Sequence, residues 1–144
     1  MSLASKVSQP CELCAKPGGE LIWSNARCRV IGVDDANFPG YCRVIWNAHV
    51  VELTDLAEAD RLYLMKVLAA VEHSIRAVTM ADKINLASFG NVVAHLHWHI
   101  IPRWHDDSHF PQPVWGPLQR EGRPRSIDQA ALREKICKSL SVVG

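Results

Sequence analysis

The 144-residue sequence has almost no net charge, no long apolar run and no repeated or low-complexity segment. Sixteen basic and fifteen acidic residues leave a formal +1 at pH 7. They are interspersed, so composition suggests neither a groove for a polyanion nor a face for a membrane surface. No apolar stretch approaches the roughly 20 residues of a spanning helix, and "MSLASKVSQP" lacks the apolar centre of a secretory signal. A cytoplasmic protein that contacts neither bulk nucleic acid nor membrane is expected. The five cysteines, Cys11, Cys14, Cys28, Cys42 and Cys137, are an odd number without an export signal. That favours thiols or metal ligands over a disulfide framework.

The length suits one domain over residues 1–144 with an ordinary core. Residues 1–10 read as a flexible N-terminus. "ELIWS" and "CRVIGV" read as a hairpin joined at Asn25, "DDANFPG" as a loop, and "YCRVIW" as a third strand. From Asp55 the period changes: Leu64, Leu68, Val71, Ile75 and Val78 form the apolar stripe of an amphipathic helix. Asp55 with Glu58 reads as its capping box. "KINLAS" is a strand ending at a Phe89-Gly90-Asn91 turn. Residues 105–125, with four prolines, read as an irregular arm, and 126–142 as a C-terminal helix opened by Ser126 and Gln129 and buried through Leu132, Ile136 and Leu140. The sum is an α+β fold: an antiparallel sheet with one long helix packed on it and a helix at the C-terminus.

Between these elements lies "HLHWHIIPR", residues 95–103, with an imidazole at every second position. On a strand, residues two apart share a face at roughly 6.5–7 Å, so His95, His97 and His99 are expected to line up while Leu96, Trp98 and Ile100 face the core. Pro102, which has no N–H, is expected to close the strand. Aligned imidazoles suit two chemistries. Two or three can bind a metal, with a position left for water; or one neutral imidazole can attack phosphorus or an acyl carbon while its neighbours hold its tautomer and donate protons. A satisfied structural cluster is the plainer alternative.

"HLHWHII" resembles the His-x-His-x-His-x-x signature of the histidine triad (HIT) family of nucleotidyl hydrolases and transferases. "PGYCRVIWNAH", "ELTDL" with the helix after it, and "INLASFGN" extend the likeness over roughly residues 11–104. The resemblance implies a HIT-like fold, a likeness to twofold dimers, and a small nucleotide substrate, expected to be a purine. It implies that His97 attacks the α-phosphorus and carries the nucleotidyl group as a phosphohistidine, which water releases, with no metal required. His99 would donate to the phosphate oxygens or protonate the leaving group. Because the transferase branch typically has glutamine there, His99 leans toward hydrolysis. Asn91 matches a phosphate-contacting turn position or is an ordinary Gly-Asn turn. Asp34 or Asp35 matches a ribose-binding position or is a turn residue, and Arg103 either neutralises phosphate or is a surface arginine. Tyr41 replaces the histidine that buttresses the nucleophile, and Val92 replaces a hydroxyl residue that contacts the leaving group.

Some bacterial members resemble this chain in a Cys-x-x-Cys pair completed by two histidines. Cys11, Cys14, His49 and His95 would then hold a structural zinc ion; two free thiols are the alternative. Cys28, Cys42 and Cys137 read as small buried hydrophobes. His73 reads as solvent-facing, His105 and His109 as loop residues, and Trp115 as packing on its own sheet or reaching a dimer partner. Two rival functions stay open on sequence grounds: a nucleotide-binding or zinc-stabilised interaction module with vestigial chemistry, and a zinc hydrolase using all three histidines.

Overall fold

A computed structural model describes residues 10–144. The flexible stretch expected for residues 1–10 falls outside the described residues except at Pro10. Five antiparallel strands form one sheet in the order β1-β2-β3-β5-β4: β1 Glu20–Ser24, β2 Cys28–Gly32, β3 Cys42–Trp46, β4 Lys83–Ala87 and β5 His97–Arg103. The hairpin of β1 and β2 turns at Asn25, whose Oδ1 accepts from the N–H groups of Arg27 and Cys28 at 2.9 Å each. Strand alternation then sorts the residues into two faces.

One face carries Cys28, Val30, Cys42, Val44, Trp46 and Ile100 into the main core, where α2 (Glu58–Thr79) covers them with Leu64, Val67, Leu68, Val71 and Ile75. At roughly 25 cal/mol per Å² of buried apolar area, this face supplies most of the fold's driving force. The C-terminal helix α3 (Gln129–Ser141) lies beside α2 and adds Leu132, Ile136 and Leu140, as expected. Burial pushes the Cys28 thiol up to about 11 and the Cys42 thiol up to about 12, so both stay protonated and behave as small apolar groups. The half-buried Cys137 donates to the Ile22 carbonyl at 3.4 Å.

Local stop and start signals depart from the sequence reading at three places. Asp55 does not open the long helix: Glu52 and Asp55 form a capping box on a single 3-10 turn, Leu53–Asp55, and α2 begins at Glu58 without a side-chain cap. Ser126 and Gln129 do not cap α3 either. Asp128 does, accepting from the Ala131 N–H at 2.9 Å, and the helix starts three residues later than expected. Pro102 lies inside β5. The β3 ladder has already stopped at Ile100, so Pro102 has only β4 beside it, opposite Ile84.

No long helix covers the opposite face of the sheet. It carries Ile31 and Ile45 under the four-residue helix α1 (Glu12–Ala15), then Arg43, His97 and His99. Gly40, at φ +96°, makes the turn that sends Tyr41 into this layer; a Cβ there would meet Thr79 Cγ2 at 2.8 Å. The face without a long helix is where the chemistry-bearing residues collect.

Candidate active site

The three histidines do not line up. His97 and His99 lie on β5 with ring centroids 5.1 Å apart. His95 precedes the strand, in the bend that follows Gly90, and its ring turns away. Two neighbouring sites result, joined at His95.

In the first, His97 Nδ1 donates to the His95 carbonyl at 2.6 Å. A carbonyl can only accept, so a proton is on Nδ1, and in the neutral ring the lone pair is on Nε2. His99 Nδ1 meets the Tyr41 hydroxyl at 2.6 Å. Burial raises the Tyr41 pKa above the ordinary phenol value, against the pull of Arg43, so the hydroxyl stays protonated, and with Arg43 donating to its oxygen the O–H is free to donate to His99. Its acceptor is Nδ1 of His99, which leaves Nε2–H of His99 as a donor. Burial, followed by the charges of His97 and Arg43, pushes His99 down to about 4, so this ring is neutral at pH 7. The two imidazoles are thus held in opposite tautomers, one offering a lone pair and the other a proton.

Both line a cleft of about 550 Å³, whose other walls include Arg43, Phe89, Asn91 and Trp115. Trp115 packs edge-on against His99 and Phe89, at 4.9 Å from each in its own chain. Asn91 lies at the cleft as expected, and Val92 is 97% exposed at its rim without a hydroxyl to offer. Arg43, Phe89 and Glu12 also reach the cleft, and the sequence reading missed all three. Arg43 alternates with inward residues on β3, which signals its face of the sheet but not its place beside His99.

Other expected site residues lie elsewhere. Arg103 is buried: it pairs with Asp107 at 2.8 and 3.0 Å and donates to Asn85 at 2.8 Å and to the Gln112 carbonyl at 2.7 Å. Four of its five N–H donors are committed, and it does not line the cleft. Burial pushes Asp107 up, but bonds from Arg103 and from the His109, Trp104 and Phe110 N–H groups outweigh it and hold the carboxyl below its usual range. The pair ties the arm, residues 105–125, to the end of β5. Tyr41 is also buried, and it contacts His99 instead of His97. Asp35 caps a turn through the Asn37 N–H at 3.0 Å, and neither it nor Asp34 lines the cleft. His73 and His105 are exposed, and His109 contacts Ser108 in the arm.

In the second site, Cys11, Cys14, His49 and His95 present one ligand atom each, all within 4.8 Å of one another. Cys11 Sγ lies 3.3 Å from His95 Nδ1, Cys14 Sγ 3.4 Å from His49 Nδ1 and 3.5 Å from His95 Nδ1, and the two Nδ1 atoms 3.2 Å apart. A tetrahedral zinc ion with sulfur at about 2.3 Å and nitrogen at about 2.0–2.1 Å separates its ligands by about 3.3–3.8 Å. His95 Nε2 donates to the Trp46 carbonyl at 2.6 Å, fixing the tautomer that points a lone pair at the cluster. Burial, with the neighbouring His49, lowers the His95 pKa and keeps that lone pair free. The residues fit a closed metal site of two sulfurs and two nitrogens. A metal held by all three histidines of the triplet does not fit, because His95 faces the thiols and His97 Nδ1 faces a carbonyl.

Comparison with known proteins agrees with this architecture. An AP-4-A phosphorylase of Mycobacterium tuberculosis is 30% identical over 84 residues, which are 54% of this chain and 43% of that protein. The match thus spans less than half of the relative's length. Among solved structures, a histidine triad protein of Bradyrhizobium japonicum is 30% identical with a TM-score of 0.66, covering 87% of this chain and 92% of that one. A Zn-bound histidine triad family protein of Mycobacterium smegmatis shares the fold at a TM-score of 0.62 and 22% identity, covering 92% and 96%. The family model described as the HIT domain matches residues 18–106, well over half of the sequence, and the chain belongs to the histidine triad family.

Proposed function

We propose that the chain is a nucleotidyl hydrolase that cleaves a nucleoside phosphoramidate, adenylyl conjugate or dinucleoside polyphosphate through a phosphohistidine on His97. The observation that carries this reading is the 2.6 Å bond from His97 Nδ1 to the His95 carbonyl, which leaves Nε2 as a nucleophile in the cleft. Nε2 attacks the α-phosphorus: a P–N bond forms and the bond from phosphorus to the leaving group breaks. His99 Nε2–H donates to the phosphate oxygens as charge develops. Water then displaces the imidazole and releases a nucleoside monophosphate. Asn91 borders the same cleft and is proposed to contact phosphate. His95 acts here through its carbonyl and is a positioning residue, not a group that touches substrate.

Cys11, Cys14, His49 and His95 are proposed to hold a structural zinc ion, and the solved Mycobacterium smegmatis relative is itself Zn-bound. Bound there, the metal would supply folding free energy by fastening α1 to the end of β3 and to the bend before β5. The HIT resemblance further supports a purine nucleotide and a twofold dimer. Val92 at the rim, lacking the expected hydroxyl, favours a second reading as a nucleotide-binding module with weak or no catalysis.

Intact-protein mass spectrometry separates the two. Brief incubation with adenosine 5′-phosphoramidate or a dinucleoside polyphosphate should add one nucleotidyl mass to the wild type, more of it in His99→Ala, and none in His97→Ala. Tight binding of a nucleoside monophosphate without adduct or product would leave only the binding module.

A further inference from the structure

We propose that Arg43 is a substrate-binding residue that selects leaving groups carrying phosphate, so that the preferred substrate is a phosphoanhydride and not an amine conjugate. The inference rests on the hydrolase reading and narrows its substrate class.

Position is the first support. Arg43 on β3 is the register partner of His99 on β5, and side chains so paired share a face about 4.5–5.5 Å apart at Cβ. The guanidinium therefore lies beside the group assigned to the phosphate oxygens. Its lack of a charge partner is the second. Arg43 makes no ion pair among the described residues, its Nε is buried without a partner, its Nη1 reaches the Gly18 carbonyl only at 3.4 Å, and its contact with the uncharged Tyr41 phenol leaves the cation unneutralised. Glu12 lines the same cleft but forms no ion pair with it. Arg103, on the same sheet, shows what a structural arginine looks like, with all its nitrogens engaged. A half-buried cation left unmatched is costly, and an anion in the cleft would offset that cost.

Leaving-group chemistry is the third support. When His97 attacks an anhydride, the bond from the α-phosphorus to the bridging oxygen breaks. That oxygen departs with the electron pair as part of a phosphate anion and needs no proton. A guanidinium beside it stabilises the charge as it grows, through a bidentate contact that a point charge does not reproduce. An amine must instead acquire a proton as it leaves. Protonated once, it departs as a neutral amine with no growing anionic charge for Arg43 to stabilise, and His99, neutral at pH 7, has no extra proton to give.

The test compares kcat/KM for diadenosine tetraphosphate and adenosine 5′-phosphoramidate in the wild type, Arg43→Leu and Arg43→Lys. Each ratio comes from one preparation, so partial misfolding cancels. The anhydride-to-phosphoramidate ratio should fall by about tenfold or more in Arg43→Leu, with partial recovery in Arg43→Lys. A smaller fall in Arg43→Leu overturns the assignment. If the wild type turns over neither substrate, the hydrolase reading has failed, and calorimetry with ADP and AMP decides the role of Arg43 alone. Tighter binding of ADP than AMP, lost in Arg43→Leu, upholds the anion site; equal binding overturns it.

Discussion

The two ends of the histidine segment put the same side chain to opposite uses. His95 and His99 are both buried, at 0% and 7% exposure, and burial lowers the pKa of each. What differs is the group facing each nitrogen. His95 gives its proton to the Trp46 carbonyl and turns a lone pair toward two thiols; His99 accepts from a phenol and turns its N–H into a cleft. The neighbour of one nitrogen decides what the other can do. A cluster able to hold a metal and a cleft lined by two imidazoles therefore meet within five residues.

Separating the two sites gives the largest expected effect. His97→Ala should lower turnover on the order of 10³-fold or more while keeping its metal and its Tm. The Cys11→Ser, Cys14→Ser double variant should lose about one zinc per chain and melt about 5–10 °C lower. Metal analysis and calorimetry on both proteins check this, and equal zinc content in the two would erase the distinction between the sites.

A smaller effect concerns acid. The folded pKa of His99 lies near 4, below the ordinary histidine value of 6.5, so the neutral ring favours the folded state. Its contribution to stability is complete above pH 6.5, where the unfolded chain is also neutral. It is lost as pH falls toward 4, because the unfolded chain takes the proton first. The charges facing His99 are His97 and Arg43, with Tyr41 behind it. The melting temperature should fall across this window, and His99→Gln should fall less steeply than the wild type. Parallel curves would mean that other groups carry the acid sensitivity.

The smallest expected change is Tyr41→Phe. It removes the donor that fixes the His99 tautomer and should lower kcat by roughly tenfold and stability by about 1 kcal/mol, measured by steady-state kinetics and denaturant unfolding. An unchanged kcat would show that the tautomer does not matter to the chemistry.

The helix-covered face was legible in the sequence because burial imposes a period: Leu64, Leu68, Val71 and Ile75 repeat as a helix must, and Val30, Val44 and Ile100 sit in alternating strands. The four residues of the metal cluster were legible too, Cys11 and Cys14 through their ligand spacing, His49 and His95 through the family likeness. Three features were not. The bend that turns His95 out of line depends on backbone conformation after Gly90, at φ +76°, which alternation cannot report. Arg103 looked available because arginine is usually exposed, but Asp107, four residues on, buries it as an ion pair. Arg43 was passed over because its strand read as apolar, and only the register across β3 and β5 brings it beside His99.

The bond that holds His97 comes from the main chain of residue 95, while the metal cluster uses that residue's side chain. Every amino acid has a carbonyl there. A descendant of this protein could exchange His95 and discard its thiols, retaining the His97 proton arrangement so long as the bend survives. Inheritance can therefore prune the Cys/His cluster first and leave the His97 cleft in place.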